Sequence, residues 1–126
     1  MKKFLAMMLI AFTVLSLASC GDAYNNAISQ LYEEVPSGYI YTAEQIDALM
    51  ETHDAHGHFK GKVLSVADFS TIGEGGIPLY IYVYKFELEE DAKYWYDNGC
   101  IGWTYAVLED NVVVYGSNKI IYDLEL

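Results

Sequence analysis

Leu79-Tyr80-Ile81-Tyr82-Val83-Tyr84-Lys85-Phe86 is the stretch from which the fold can be read. Tyr80, Tyr82, Tyr84 and Phe86 recur every second residue on one side, with Ile81 and Val83 on the other, which is the period of a β-strand. Both sides can bury apolar area, so this strand is expected near the centre of a sheet. The period then changes. Glu87, Glu89, Glu90 and Asp91 come next, where carboxylates complement the positive end of a helix dipole. Leu88, Ala92 and Trp95 supply an inward stripe and Asn98-Gly99 a left-handed stop, so a helix is expected over 87–98.

Working outward, Ile101, Trp103, Tyr105 and Val107 alternate with Gly102, Thr104, Ala106 and Leu108, which predicts another strand. Glu109-Asp110-Asn111 is a polar break before Val112–Tyr115, and the pair reads as a hairpin. Gly116-Ser117-Asn118 reads as a turn and cap before a short closing helix through Ile120, Ile121 and Leu124. On the other side, Gly73, Gly75, Gly76 and Pro78 mark a turn; without the Gly-Lys-Ser/Thr ending of a phosphate cradle, it reads as a hairpin connection. The first half of 60–70 alternates as a strand. Thr42-Ala43-Glu44-Gln45 is a capping box, and Ile46, Leu49, Met50 and His53 share one face of the helix that follows. A weak helix over about 24–34, resting on Ala27 and Leu31, ends at Pro36-Ser37-Gly38.

This order implies an α+β domain over 41–126: a mainly antiparallel sheet with helices packed on one face, a ferredoxin-like arrangement being the first topology to draw. Residues 20–40 read as a spacer with its weak helix.

The N-terminus carries a different message. Met1-Lys2-Lys3 is cationic, and 4–17 is an apolar run of fourteen residues broken only by Thr13 and Ser16, too short to span a bilayer. It meets Leu17-Ala18-Ser19-Cys20, which resembles the lipobox of bacterial lipoproteins: an aliphatic residue, two small ones and a cysteine. The resemblance covers residues 1–20. It implies a signal peptide over 1–19, diacylglyceryl attached at the Cys20 sulfur, and cleavage between Ser19 and Cys20. It also implies lipid anchoring in the bacterial cell envelope, outside the cytoplasm. Two acyl chains give stable anchoring where one is marginal.

From Cys20 the chain has 107 residues, enough for one modest core. The net charge of the whole chain is −11. Without Lys2 and Lys3, five lysines face 18 acids, a charge near −13 that repels phosphate backbones and excludes nucleic acid as a partner. With Cys20 acylated, Cys100 is the sole thiol, so no internal disulfide can form, and Cys100 reads as a small core residue at a strand start.

Two clusters could carry chemistry. His53, Asp54, His56 and His58, with Glu51 nearby, are ligands that zinc or copper accept, although the spacing is not the His-Glu-x-x-His of metalloproteases. His53 also continues the apolar stripe of its helix. Tyr80, Tyr82 and Tyr84, with Trp95 and Trp103 elsewhere, could form an aromatic platform for a sugar, a peptide or an envelope protein, or simply line the core. The acids do not resolve into a catalytic pair, since neighbours along a helix do not face each other, and there is no Gly-x-Ser-x-Gly elbow. No enzymatic activity is expected. The leading expectation is a membrane-anchored lipoprotein with a small acidic binding or structural domain, and its rival is a metal-binding lipoprotein using the histidine cluster.

Overall fold

The computed structural model of the chain describes residues 22–55, 60–100 and 102–126. Three helices are α1 (Ala23–Glu34), α2 (Ala43–Ala55) and α3 (Glu89–Tyr94). The strands are β1 (Tyr39–Ile40), β2 (Val63–Asp68), β3 (Thr71–Ile72), β4 (Pro78–Leu79), β5 (Ile81–Phe86), β6 (Tyr105–Glu109) and β7 (Val112–Gly116). Five of them form one sheet in the order β1-β2-β5-β7-β6 with every neighbouring pair antiparallel, while β3 and β4 form a small separate hairpin. The fold is α+β with an antiparallel sheet, and β5 stands at its centre.

Alternation along β5 divides the interior. Ile81 and Val83 join Val112 and Val114 of β7 and Ala67 of β2 on one face, where Ala27, Ile28 and Leu31 of α1 and Ile121 near the C-terminus cover them. Tyr84 and Phe86 join Val113 and Tyr115 on the other face, against Ala92, Trp95 and the Ile46-Leu49-Met50 stripe of α2. The helices therefore lie on both faces, not on one as the element order suggested. Because both sides of β5 and β7 are apolar, each face needs its own cover. The topology also departs from the ferredoxin-like drawing. β1 and β2, on either side of α2, pair directly and antiparallel, whereas a split βαβ unit places another strand between them.

The domain begins earlier than residue 41. Asp22 caps α1, its Oδ1 accepting the Asn25 amide at 3.1 Å, and the helix buries Ala23, Tyr24, Ala27, Ile28 and Leu31. An element with that much apolar surface in the core belongs to the folded unit, not to a spacer. Its exit is equally tight: at Gly38 a side chain would collide with the buried Phe69 ring, whose atoms lie 2.1 Å from where a Cβ would stand.

The capping box at α2 is formed as expected: the Gln45 amide donates to Thr42 Oγ1 at 3.2 Å and the Thr42 amide to Gln45 Oε1 at 2.9 Å. In β2 the pairing with β5 slips between Val63 and Ser65, leaving Leu64 as a bulge. That extra residue puts Val63 and Val66, which simple alternation would separate, into the same core. The β6–β7 connection is a two-residue turn, with Asp110 in the left-handed region at φ 53°. Asn118 caps the closing 3-10 turn, accepting the Ile120 amide at 3.1 Å.

Candidate functional site

The helix after β5 does not end as its sequence suggests. α3 stops at Tyr94, and the backbone widens into a π turn over Trp95–Gly99, closed by the Cys100 amide donating to the Trp95 carbonyl at 3.1 Å. Gly99 is not left-handed. It is glycine because the Trp95 indole lies on it: a Cβ there would stand 2.0 Å from Trp95 Cε3. Leu88, expected to point inward, is exposed at the cap position, and Ala92 and Trp95 carry the packing. π turns of this kind recur at functional sites because they re-aim side chains out of the helical register.

Beyond Cys100 the chain turns again. The Trp103 amide donates to the Cys100 carbonyl at 3.1 Å, and Gly102 takes φ 96°, a conformation suited to glycine. Strand pairing begins only at Tyr105. By alternation Trp103 would share the face of Tyr105 and Val107, which pack with α1. The turn instead carries its indole to the opposite face, where it meets Tyr80, Tyr82 and Tyr115 at centroid separations of 5.8, 6.1 and 5.6 Å.

These turns leave an open cleft of about 390 Å³ over the α2 face of the sheet, bounded by Tyr41, Tyr82, Tyr84, Trp95, Trp103 and Tyr115, with Leu49 and Gly99 completing the wall. The rings are ordered in layers. Tyr84 and Trp95 stack at 5.7 Å with their planes 7° apart and form the floor. Tyr80 and Tyr82 stack at 6.2 Å and 10° along one side, and Trp103 stands on edge to both. Tyr39 and Tyr41 form a third stacked pair at the β1 edge. The tyrosine row of β5 thus runs from surface to core: Tyr80 is 37% exposed, Tyr82 half-buried and Tyr84 3% exposed. One position is a rim, the next a wall and the last part of the core.

Burial pushes the Tyr84 hydroxyl up to about 12, and raises Tyr115 well above its ordinary value. A hydrogen bond links these two hydroxyls. Tyr41 and Tyr82 are also raised, by burial first and with the Asp68 carboxylate contributing. Asp68 is the strand neighbour of the cleft's Tyr82, opposite it in the β2–β5 ladder and opposite Tyr39 in the β1–β2 ladder. Its Oδ1 accepts the Ser70 amide at 2.8 Å, which holds the carboxylate in place. No residue named in the cleft wall carries a positive charge.

Cys100 sits beneath this site, not at a strand start. It is buried, and burial pushes its thiol up to about 12, which keeps it protonated and unreactive at neutral pH. The histidine cluster is placed only in part. His53 and Asp54 fall in the last turn of α2. Their side chains, with His56 and His58, lie outside the described residues, and so does Cys20. Among the described residues no three His, Cys, Asp or Glu side chains gather to hold a metal ion, and no helix is long and apolar enough to cross a membrane.

Sequence reasoning named Tyr80, Tyr82 and Tyr84, with Trp95 and Trp103 as further rings of a platform, but missed Tyr41, Asp68 and Tyr115. Tyr115 was within reach, since it alternates with Val113 on the same face. Tyr41 stands just before the α2 cap, where an apolar residue commonly packs back on its helix. The direction of Trp103 could not be read from alternation, because the turn at Gly102 re-aims it before the strand begins. What fold and cleft define is a small α+β domain with an aromatic surface site. The chain matches no family model, no curated protein and no solved structure.

Proposed function

We propose that this chain is a lipid-anchored extracytoplasmic binding domain that holds a small ligand in the aromatic cleft and performs no chemistry on it. The observation that carries the binding half is the cleft itself. Six aromatic rings converge on one open concavity, with Trp103 36% exposed in its wall and Tyr80, 37% exposed, packed against Trp103 and Tyr82 beside it. Both keep hydrogen-bonding tips and flat apolar faces available, a combination suited to wet binding surfaces. The cleft walls offer no nucleophile paired with a base, and the buried Cys100 thiol stays protonated at neutral pH.

The anchoring half rests on the Leu17-Ala18-Ser19-Cys20 resemblance and gains a consequence from the fold. Only Gly21 separates Cys20 from Asp22, the cap of α1. Two residues span at most roughly 7 Å, so a lipid on Cys20 would hold the domain against the headgroups without a flexible tether.

Two measurements test the reading. Membrane fractionation of the Cys20→Ala form is expected to move the protein into the soluble envelope fraction, and full retention on membranes would overturn the anchor. For the cleft, tryptophan fluorescence of that soluble form is titrated with choline, with a neutral disaccharide and with a tripeptide. A saturable change with one of them, absent in Trp103→Ala, is expected. No saturable change with any of the three overturns binding at this site.

A further inference from the structure

The cleft's geometry and charge narrow the class of ligand. Its rings do not form one flat platform: Trp103 is inclined 69° to Tyr82 and 61° to Tyr115, while Tyr82 and Tyr115 are tilted 35° from each other. Ring planes in several orientations suit a compact, roughly spherical group, whereas a pyranose stacks best on a single open plane. Aromatic faces carry the negative part of the ring quadrupole and attract cations. Asp68 adds a full negative charge beside Tyr82, fixed by its bond to the Ser70 amide. No positive charge among the named wall residues competes for it, and the chain as a whole carries −11. A small metal ion or a strongly hydrated ammonium needs several oxygen ligands to replace its water. This cleft supplies ring faces and neutral phenol hydroxyls, with a single carboxylate beside it, which favours a large, weakly hydrated organic cation over one that needs several charged oxygens.

Resting on the cleft as the binding site, we propose that the ligand is a quaternary ammonium group, received by the faces of Tyr82 and Trp103 above the buried Tyr115 and paired with the Asp68 carboxylate. The acidic surface draws such cations toward the protein, and the rings discriminate at short range. Binding weakens with salt, because the Asp68 pair lies at a solvent-open edge.

The test compares choline with its neutral isostere, neohexyl alcohol, in which carbon replaces the nitrogen. Calorimetric titration of the soluble Cys20→Ala form is expected to give a one-site isotherm for choline and affinity weaker by about tenfold or more for the isostere. Asp68→Asn, which retains an oxygen for the Ser70 amide, is expected to weaken choline by about tenfold and leave the isostere unchanged. Equal affinity for choline and the isostere overturns the cation assignment while leaving the cleft as a binding site, as does saturation by the disaccharide alone. Because that comparison uses the unaltered cleft, it stands whether or not the Asp68 variant folds. No binding of any probe overturns both readings together.

Discussion

The two faces of the sheet bury their side chains to different ends. Under α1 the packing is mainly aliphatic and closed: Leu31, Phe69, Ile81, Val83 and Val114 are fully buried, and one continuous helix covers them. Under α2 and α3 the packing is aromatic and incompletely covered. α2 lies mainly over β2, α3 over β5 and β7, and the space between them is the cleft. A helix whose apolar stripe runs its full length can seal a sheet. A helix of only six residues that widens into a π turn cannot, and it leaves rings at the surface. The closed face is sealed by apolar packing, and the open face is the one on which the proposed ligand would bind.

Alkali is expected to separate the faces most sharply. Tyr84 and Cys100 are raised to about 12 from 10.0 and 9.0, with Tyr41, Tyr82 and Tyr115 raised beside them, whereas on the closed face it is Tyr24 that is raised. Burial favours the neutral forms in the folded state, so their stabilisation is complete below the unfolded values. It is lost as pH rises from about 9 towards 12. The loss is expected to come chiefly from the well-buried Tyr84, Tyr115 and Cys100, while the more open Tyr41 and Tyr82 are screened by solvent and contribute less. Urea midpoints measured across this range, with hydrogen exchange by segment, should show α3 and β7 loosening before α1. Simultaneous loss of both faces would break the distinction.

Phe69→Ala, on the closed face, should cost about 3–5 kcal/mol, because the ring fills space between Tyr32 and Gly38 that the backbone cannot collapse into. Chemical denaturation measures it, and a loss under about 1 kcal/mol would mean that this face is less rigid than its burial implies. At the border of the cleft, Gly99→Ala should cost about 1–3 kcal/mol by driving a methyl group into the Trp95 indole. Trp95 fluorescence should shift with it, whereas an unchanged spectrum would show that the π turn yields instead. Trp103→Ala should have the smallest effect on stability, about 1 kcal/mol from its edge contacts with Tyr80, Tyr82 and Tyr115. Its thermal midpoint should stay near that of the parent. A large fall would make Trp103 a core residue and the cleft an incidental gap.

Much of the architecture was legible because it is written in neighbouring residues. Thr42 and Gln45 announce a cap that both hydrogen bonds realise, Asn118 caps the last turn, and the alternation of β5 places two cores on its two sides. What misled were local cues overruled at a distance. Asn98-Gly99 has the look of a left-handed stop, yet the glycine answers to an indole four residues away. The alternation across 101–108 assigns Trp103 to the wrong face because Gly102 turns the backbone before the ladder begins. Residues 20–40 read as spacer because α1 is polar on its outer side, and only contact with the sheet reveals what Leu31 and Ala27 bury.

The residues alone determined the periods, the caps and the acidic composition, because each of these is set by side chains within one or two turns of one another or by their count. Tertiary structure decided which face each helix covers and that a cleft exists at all. That site draws on Tyr41, Tyr82, Trp95, Trp103 and Tyr115 from five separate segments, with Asp68 of β2 beside Tyr82. Their convergence depends on a bulge, a π turn and a glycine turn, which set where each ring points across the assembled sheet.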